Sequence, residues 1–240
     1  MSALHWSQLR EMDTSPRNYQ YRLANPMEPT RAMLIGTLVH EFVHGEGPYH
    51  RPWVIWDGAR RGNIWTEFKE LNHDKEIYTK AEKDLAFDIA DSVLSAWPDD
   101  LRIGESEKTI QWKIGDRECE GTPDVAGPEA LIDLKVTSAA HPRRIDRHAR
   151  TMGWHGQMAW YRRGLIENGI DPQRVVLVCV EPTPPFNVSV CDMSTDTLEA
   201  GRRMCERLLK RLDECSIADE WPSYGKTLID IRDDYEEMAL

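Results

Sequence analysis

The stretch from Gly121 to Lys135 constrains the fold most strongly, because it sets two carboxylates among residues typical of a buried β-hairpin. Two apolar runs flank a Gly-Pro step here, a pattern that predicts paired strands joined by a tight turn. With Pro128 and Glu129 as the turn residues, Asp124 lies opposite Asp133, and their Cβ atoms are expected about 4.5 to 5.5 Å apart. Pro-Glu is not a preferred hairpin turn, so a register shifted by one residue, which would change the facing pair, stays open.

Asp133 interrupts the apolar run LIDLKV, and a charge buried in a strand needs a partner. Lys135 follows two residues later and therefore lies on the same face of the strand. Two facing carboxylates would repel each other without a cation, and an all-oxygen pair favours Mg²⁺ or Mn²⁺ over zinc. Such a metal can activate a water and stabilise charge on a phosphodiester, while the lysine can orient or deprotonate that water. The alternative is a hairpin whose charges are simply solvated, which the burial expected for Asp133 argues against.

The hairpin residues Pro123-Asp124 and Asp133-Leu134-Lys135 resemble motifs II and III of the PD-(D/E)XK nuclease superfamily. Upstream, the segment from Gly36 to His40 resembles the helical motif I histidine of the RecB-like branch of that superfamily. Downstream, the segment from Gln157 to Tyr161 resembles the Q-x-x-x-Y motif of the same branch. Each motif is short, and the resemblance becomes specific because all of them occur in the right order.

Within that branch the chain most resembles the RecE, or exodeoxyribonuclease VIII, type of phage and prophage exonuclease. Residues 153–157, Gly-Trp-His-x-Gln, and 221–224, Trp-Pro-Ser-Tyr, strengthen this resemblance, which covers nearly the whole chain. It implies a restriction-endonuclease-like fold, linear double-stranded DNA as substrate, digestion from the 5′ end in recombination, and a ring-shaped homo-oligomer. It also implies a cooperating single-strand annealing protein and the cytoplasm of a bacterial host as the place of action.

The resemblance implies a metal site with one or two Mg²⁺ or Mn²⁺ ions. Asp124, Asp133 and the backbone carbonyl of Leu134 would hold the catalytic metal. His40 would be a further ligand, and Lys135 would position or activate the attacking water. The resemblance therefore gives the hairpin and the motif I helix a common function.

Other residues are candidates for binding a second metal and for contacting DNA. Related exonucleases carry a glutamate for a second metal on the strand before the hairpin, and Glu107 matches that position loosely, with Glu105 and Glu120 as competitors. Gln157 and Tyr161 are four residues apart and share one helix face. By resemblance they contact the DNA or brace the active site, whereas an ordinary polar helix face is the alternative.

The net charge of −11 is unusual for a DNA-binding protein, so its distribution matters more than its sum. From Arg211 to Leu240 there are nine acidic and three basic residues, and this balance of −6 predicts a solvated or partner-facing tail. From His141 to Arg163 there are six arginines and one aspartate, which gives +5. A basic patch beside the site suits phosphate contacts, although an ordinary charged helix face is the alternative. The arginines that we expect to contact DNA are Arg143, Arg144, Arg147 and Arg150.

Residues 40–50, HEFVHGEGPYH, provide a second hypothesis, because they match the metzincin zinc-protease pattern HExxHxxGxxH at every specified position. In metzincins a substantial β-subdomain precedes this helix, whereas here only 39 mostly helical residues precede it. The protease pattern also gives the hairpin carboxylates no role. For both reasons, the second and third histidines of the pattern are interpreted as surface or structural residues. The residues concerned are the ligands His40, His44 and His50, the base Glu41 and the turn residue Gly47.

The order of elements predicts one α/β domain over residues 1–240, with a mixed central β-sheet flanked by α-helices. Its parts are a helical region over about residues 1–100, a catalytic core over about 101–215 and an acidic tail over 216–240. Predicted helices cover residues 2–12, 15–24, 30–44, 79–97, 151–166 and 195–212. Predicted strands cover 105–114, the hairpin, 174–180 and 186–191, and residues 53–69 are expected to form a loop.

The remaining composition limits the function classes. The five cysteines form no Cys-x-x-Cys, so we predict neither a disulfide framework, a cysteine zinc site nor an iron-sulfur cluster. No apolar signal segment and no run of membrane-spanning length occurs, so a cytoplasmic protein without membrane contact is expected. A P-loop is also missing, which favours a stand-alone nuclease over a helicase-nuclease. A non-catalytic DNA-binding or recombination accessory protein is the third hypothesis, and the intact D-x-K residues argue against it.

Overall fold

A computed structural model describes residues 3–45, 50–98 and 104–224. The helices in these ranges are α1 (Trp6–Leu9), α2 (Glu11–Thr14), α3 (Pro16–Ala24), α4 (Arg31–His44), α5 (Asn63–Leu71), α6 (Lys80–Ala96), α7 (Pro142–Thr151), α8 (Trp154–Glu167) and α9 (Thr195–Ala218). The strands are β1 (Leu4–His5), β2 (Trp53–Ile55), β3 (Glu76–Tyr78), β4 (Glu105–Ser106), β5 (Ile110–Ile114), β6 (Arg117–Gly121), β7 (Val125–Ala126), β8 (Ala130–Val136), β9 (Arg174–Val180) and β10 (Val188–Asp192).

The largest sheet in the described residues has five strands in the order β10-β9-β8-β7-β4. β8 and β9 are parallel, whereas the other neighbours are antiparallel, so the sheet is mixed. β9 is the buried central strand that its continuous apolar sequence predicts. A three-stranded sheet, β1-β6-β5, and a two-stranded sheet, β2-β3, complete the strands. The predicted mixed α/β architecture is confirmed.

Side chains of β8 alternate between two apolar cores. Ile132 and Leu134 point into a core that they share with α4 and α6. Leu131 points into the opposite core, which α1, α8 and α9 cover. Because the strand period is two residues, Asp133 and Lys135 share the face of Leu131. The sheet therefore directs both charged side chains toward α8.

The hairpin of β7 and β8 has the register that the sequence predicts. Ala126 pairs with Leu131, which leaves the Pro-Glu pair as the two turn residues. The pairing ends at Val125 and Ile132, so Asp124 and Asp133 are the next residues beyond the paired ones. The shifted register that the unusual turn left open is not adopted, because it would move the apolar residues of β8 to the wrong faces.

Helices α4 and α6 begin and end where their capping residues predict. The Thr30 hydroxyl accepts a hydrogen bond from the backbone N–H of Met33 at 3.3 Å, and Gly45 ends α4 with a φ of 87°. Thr79 and Glu82 form a reciprocal capping box at the start of α6. The two helices pack against each other on one face of the large sheet.

The strand predicted over residues 105–114 is wrong as a single element. The chain is left-handed at Glu107, with a φ of 51°, and this residue separates β4 from β5. As a result β4 joins the five-stranded sheet while β5 joins the three-stranded sheet. β5 then turns at Gly115, with a φ of 61°, and pairs with β6, a strand that the sequence analysis did not predict.

Four other boundaries also differ from the prediction. Residue 2 lies outside the described residues, and the predicted first helix begins instead as β1, which pairs in parallel with β6. The predicted loop at 53–69 contains β2 and much of α5. The helix predicted over residues 151–166 begins only at Trp154, after the left-handed Gly153 with a φ of 71°, and the preceding α7 was not predicted. α9 continues to Ala218, because its apolar stripe extends to the buried Cys215.

The single domain, its division and the tail remain predictions, since residues 225–240 are outside the described ranges.

The crossing of α8 and α9 yields a stability prediction at Gly201. A Cβ atom at Gly201 would lie 2.2 Å from the backbone oxygen of His155 and 3.0 Å from the Cβ of Ala159. Gly201→Ala is therefore expected to destabilise the fold by about 2 kcal/mol, although alanine is the better helix former. Gly36→Ala is the control, because a Cβ there meets nothing within 4 Å, and it should stabilise α4 by up to about 1 kcal/mol. Urea unfolding measures both, and equal midpoints for Gly201→Ala and the wild type would contradict the close crossing.

Candidate active site

Charged side chains from separate elements meet at one end of the five-stranded sheet. His40 of α4 places its Nδ1 3.2 Å from Oδ1 of Asp124, which precedes β7. The same Nδ1 lies 3.8 Å from Oε1 of Glu107 in the turn between β4 and β5. On β8, the Nζ of Lys135 lies 2.5 Å from Oδ2 of Asp133. These five residues are those that the sequence analysis selects for metal binding and catalysis, and the fold brings them together.

The backbone of β8 completes the cluster. The N–H of Leu134 donates a hydrogen bond to Oδ2 of Asp124. In an extended strand the N–H and C=O of one residue point to the same side, so the Leu134 carbonyl also faces the Asp124 edge. β7 pairs with β8 only through Val125 and Ala126. Beyond Ile132, the backbone of β8 on this side therefore faces side chains such as that of Asp124. The carbonyl is thus on the correct side to act as the predicted backbone ligand.

Burial and mutual charge shift the pKa values in this cluster. Burial would lower the pKa of His40, but the carboxylates of Asp124 and Glu107 outweigh it and raise that pKa to about 10. Burial would raise the pKa of Asp124, yet the adjacent His40 holds it below its ordinary value. The pKa of Asp133 is raised by burial and by the Asp124 charge, although Lys135 opposes the shift. Without a metal, a protonated His40 therefore balances the Asp124 carboxylate.

The donor set fits a divalent cation. Asp124 and Asp133 are only 5% and 3% exposed, and buried carboxylates need positive partners. Their partners in the described residues are Lys135 and the protonated His40. A cation that binds His40 must displace its proton, so metal and proton compete for the same nitrogen. Two carboxylates, one carbonyl and one imidazole are a donor set suited to Mg²⁺ or Mn²⁺.

His44 lies closer to this site than the sequence analysis expected. It follows His40 by one helical turn, and one ligand atom from each of His40, His44 and Asp124 lies within 4.8 Å of the others. The Nε2 of His44 is buried and has no hydrogen-bond partner in the described residues. Interpreting His44 as a surface or structural histidine is therefore incomplete. The i, i+4 spacing on a motif-bearing helix was the signal that could have indicated it.

The other protease residues are engaged elsewhere. Glu41, the predicted general base, accepts a hydrogen bond from Trp53 Nε1 at 2.8 Å and lies 3.0 Å from His50 Nδ1. His40 and His44 instead approach Asp124, so the three histidines do not form a zinc triad in the described residues. Gly47 lies outside those residues. The metzincin hypothesis is therefore not supported by this geometry.

Gln157 and Tyr161 form a pair on α8 beside the acidic residues. The Nε2 of Gln157 donates a hydrogen bond to the Tyr161 hydroxyl at 3.0 Å. Burial, together with nearby carboxylates, raises the pKa of Tyr161, so the phenol stays protonated. The Tyr161 ring packs on Gly121, where a Cβ would lie 2.6 Å from the ring. The pair lines an open cavity of about 440 Å³ together with Glu107 and residues from α1 and β6.

The two competing glutamates contact other residues. Glu105 is exposed and forms an ion pair with Lys108. Glu120 accepts a hydrogen bond from Gln111 Nε2 at 2.8 Å, approaches His5 and lines the same cavity. Of the three candidates, the structure places only Glu107 in contact with His40.

The predicted basic patch is the exposed face of α7. Arg143, Arg144 and Arg147 are exposed and have no acidic partner in the described residues, while Arg150 pairs with Asp146 at 3.1 Å. The ring of His148, also on α7, lies against the Trp154 ring at 5.1 Å between centroids. The Nζ of Lys135 in turn lies 5.8 Å from the Trp154 ring centroid. The arginine-bearing helix is therefore held next to the lysine of the site.

Fold and site together define a PD-(D/E)XK-like nuclease domain. Residues 5–230 match the family described as "PDDEXK-like domain of unknown function (DUF3799)", and the chain belongs to that family. Members of the PD-(D/E)XK class generally use divalent metals, in agreement with the donor set described above. No helix in the described part of the chain is both long and apolar enough to cross a membrane.

Comparison with known proteins supports the fold. A candidate exonuclease from Eubacterium rectale superimposes with a TM-score of 0.67 at 14% identity, over 96% of this chain and 90% of that one. An alkaline exonuclease from Laribacter hongkongensis has a TM-score of only 0.34 at 12% identity, over 75% of this chain and 90% of that one, and carries no weight here. No curated protein sequence matches this chain.

Proposed function

We propose that this protein is a metal-dependent deoxyribonuclease that removes nucleotides from the ends of linear double-stranded DNA, starting at the 5′ end. The observation that carries the proposal is the convergence of Asp124, Asp133 and Lys135 with His40 and Glu107 at one end of the sheet. Structural cores rarely bury this many charges, because each carboxylate taken out of water costs free energy. Family membership supports the nuclease class.

Each residue of the cluster has a distinct role in this proposal. Asp124, Asp133, the Leu134 carbonyl and His40 hold the cation, and Glu107 adds a carboxylate for the same or a second ion. A bound Mg²⁺ or Mn²⁺ would polarise the scissile phosphodiester and lower the pKa of a water. Lys135, held by Asp133, positions that water and takes up or passes on its proton.

The surface around the cluster supports DNA as the substrate. The exposed arginines lie on α7, whose His148 contacts Trp154 beside Lys135, and they can bind the phosphates of a strand that leads into the site. Gln157 and Tyr161 wall the cavity next to Glu107, where the terminal nucleotide would be held. The negative net charge does not oppose this role, because local potential decides where phosphate binds.

Three further features of the proposal come from the resemblance to RecE-type exonucleases. They are a ring-shaped homo-oligomer, a cooperating single-strand annealing protein, and a role in phage or prophage recombination in the bacterial cytoplasm. Size-exclusion chromatography with light scattering tests the first of these. A monomer at micromolar concentration would remove the ring from the proposal without affecting the site.

The arginines of α7 are expected to bind DNA through phosphates alone. Replacing Arg143, Arg144 and Arg147 together by Gln should weaken DNA binding at all sequences and reduce the slope of log K against log salt by about 3. The matched control replaces Arg202, Arg203 and Arg207 of α9 by Gln. It removes the same amount of charge, but these arginines pair with acidic residues in the wild type. Fluorescence anisotropy over a salt series measures both, and equal slopes would contradict the assigned phosphate contacts.

The proposed activity is tested with linear duplex DNA labelled separately at each 5′ and 3′ end, and with closed circular duplex DNA. Each is incubated with Mg²⁺, with Mn²⁺ and with a chelator. We expect metal-dependent loss of the 5′ labels first, retention of a 3′ single strand, and no attack on the circle. Nicking of the circle would indicate an endonuclease, first loss of the 3′ labels would reverse the polarity, and no cleavage at all would reject the nuclease.

A further inference from the structure

His44 is a half-buried histidine near the site, and the proposed mechanism does not use it. Its ring lies 5.9 Å from that of His40 between centroids, one turn farther along α4. On its other side the ring meets the edge of Trp97 at 5.5 Å. His44 therefore contacts both His40 of the catalytic cluster and the ring of Trp97.

The Nε2 atom of His44 lacks a structural explanation. Its Nε2 is buried and finds no hydrogen-bond partner in the described residues. A buried polar atom without a partner costs about 1 to 3 kcal/mol. Packing against Trp97 needs only a ring and would be served as well by phenylalanine, so the nitrogen itself requires a reason.

The geometry supplies that reason. One ligand atom each from His40, His44 and Asp124 lies within 4.8 Å of the others. Ligands about 2.0 to 2.2 Å from a common cation are at most about 4.4 Å apart. Small rotations of the side chains are enough to close that difference. The three groups can therefore bind one ion together.

We propose that His44 is a second nitrogen ligand of the catalytic cation and that it makes the site prefer Mn²⁺ to Mg²⁺. The inference rests on the proposed nuclease site and adds a ligand to it. Mg²⁺ takes oxygen ligands and loses its waters reluctantly, whereas imidazole nitrogens favour first-row transition metals. The hairpin carboxylates alone are all-oxygen ligands, which suit Mg²⁺ as well as Mn²⁺. Adding two imidazoles beside Asp124 shifts the metal selectivity of the site toward Mn²⁺.

The first test counts nitrogens around Mn²⁺ bound to the wild-type protein, by pulsed electron paramagnetic resonance. We expect couplings from two imidazoles. A single coupled imidazole would overturn the proposal, and because no variant is needed, this result does not depend on whether a mutant folds. The measurement does not involve DNA cleavage, so its result remains valid even if the protein proves not to be a nuclease.

The second test compares metal affinities by calorimetry in wild type, His44→Phe and His155→Phe. Phenylalanine keeps the ring against Trp97 and removes both nitrogens. His155 is the matched control, since its Nδ1 is also buried without a partner in the described residues but lies near Asp13 and Arg207. His44→Phe should lower Mn²⁺ affinity about tenfold or more and leave Mg²⁺ affinity nearly unchanged.

The outcomes separate this inference from the proposed function. Equal Mn²⁺ affinities in wild type and His44→Phe, or an equal loss in His155→Phe, would overturn the role of His44. If the wild type nevertheless degrades linear DNA, the nuclease proposal remains. If two imidazoles bind Mn²⁺ but no DNA is cleaved under any condition, the ligand assignment remains and the nuclease proposal fails.

Discussion

Asp133→Asn is expected to lower the rate of DNA hydrolysis about 1,000-fold or more while the metal-free fold keeps its stability. The substitution removes a negative ligand, and a catalytic cation supplies several kcal/mol of transition-state stabilisation, where each 1.36 kcal/mol is a factor of ten. Stability should be retained, because asparagine has nearly the same shape and the buried carboxylate it replaces is penalised by burial and by Asp124. Initial rates on linear duplex DNA and thermal unfolding without metal measure the two effects.

The control for Asp133→Asn is Asp192→Asn on β10 of the same sheet. Asp192 is exposed, forms an ion pair with Arg174 at 2.6 Å, and lies on the edge strand, two strands away from β8. Its replacement should change the rate less than about twofold, since exposed ion pairs contribute little. An Asp133→Asn protein that retains more than a tenth of the wild-type rate would contradict the assigned role of this carboxylate.

Lys135→Met is expected to lower the maximal rate about 100- to 1,000-fold with metal affinity unchanged or higher. A positioned proton-transfer group contributes about this factor, and methionine fills similar space without the charge. Metal affinity should not fall, because Lys135 lies 2.5 Å from Asp133 and its positive charge competes with the cation. Rates at saturating DNA over a metal titration, together with calorimetry, separate the two effects.

Lys113→Met serves as the control for the lysine. Lys113 is exposed on β5 and pairs with Glu118 at 2.7 Å, so its loss should leave both rate and metal affinity unchanged. If excess Mg²⁺ or Mn²⁺ restores the Lys135→Met rate to the wild-type value, the lysine only helps to hold the metal, and the role assigned to it in proton transfer is wrong.

Features that depend on neighbouring residues could be predicted from the sequence. The hairpin register follows from its turn and from the alternation of apolar residues, so the pairing of Val125 and Ala126 with β8 was predicted correctly. The ends of α4 follow from Thr30 and Gly45, which are local capping residues. The site could be assembled in advance because its motifs lie on such elements.

Features that depend on distant pairing could not be predicted. β1 pairs in parallel with β6, more than 100 residues away, and no local pattern indicates a two-residue strand. Glu107 was selected only loosely, because its approach to His40 depends on a left-handed turn between two different sheets. His44 was interpreted as a surface or structural histidine because its neighbours, Trp97 and Asp124, come from other parts of the chain.

The central claim is that one cation binds where α4, the turn after β4 and the hairpin meet. Anomalous diffraction from crystals soaked in MnCl₂ tests it most directly. We predict a manganese peak roughly 2.0 to 2.3 Å from oxygens of Asp124 and Asp133, the Leu134 carbonyl and a nitrogen of His40. A peak bound by Glu41 and His50, or no peak at the end of the sheet, would contradict the account.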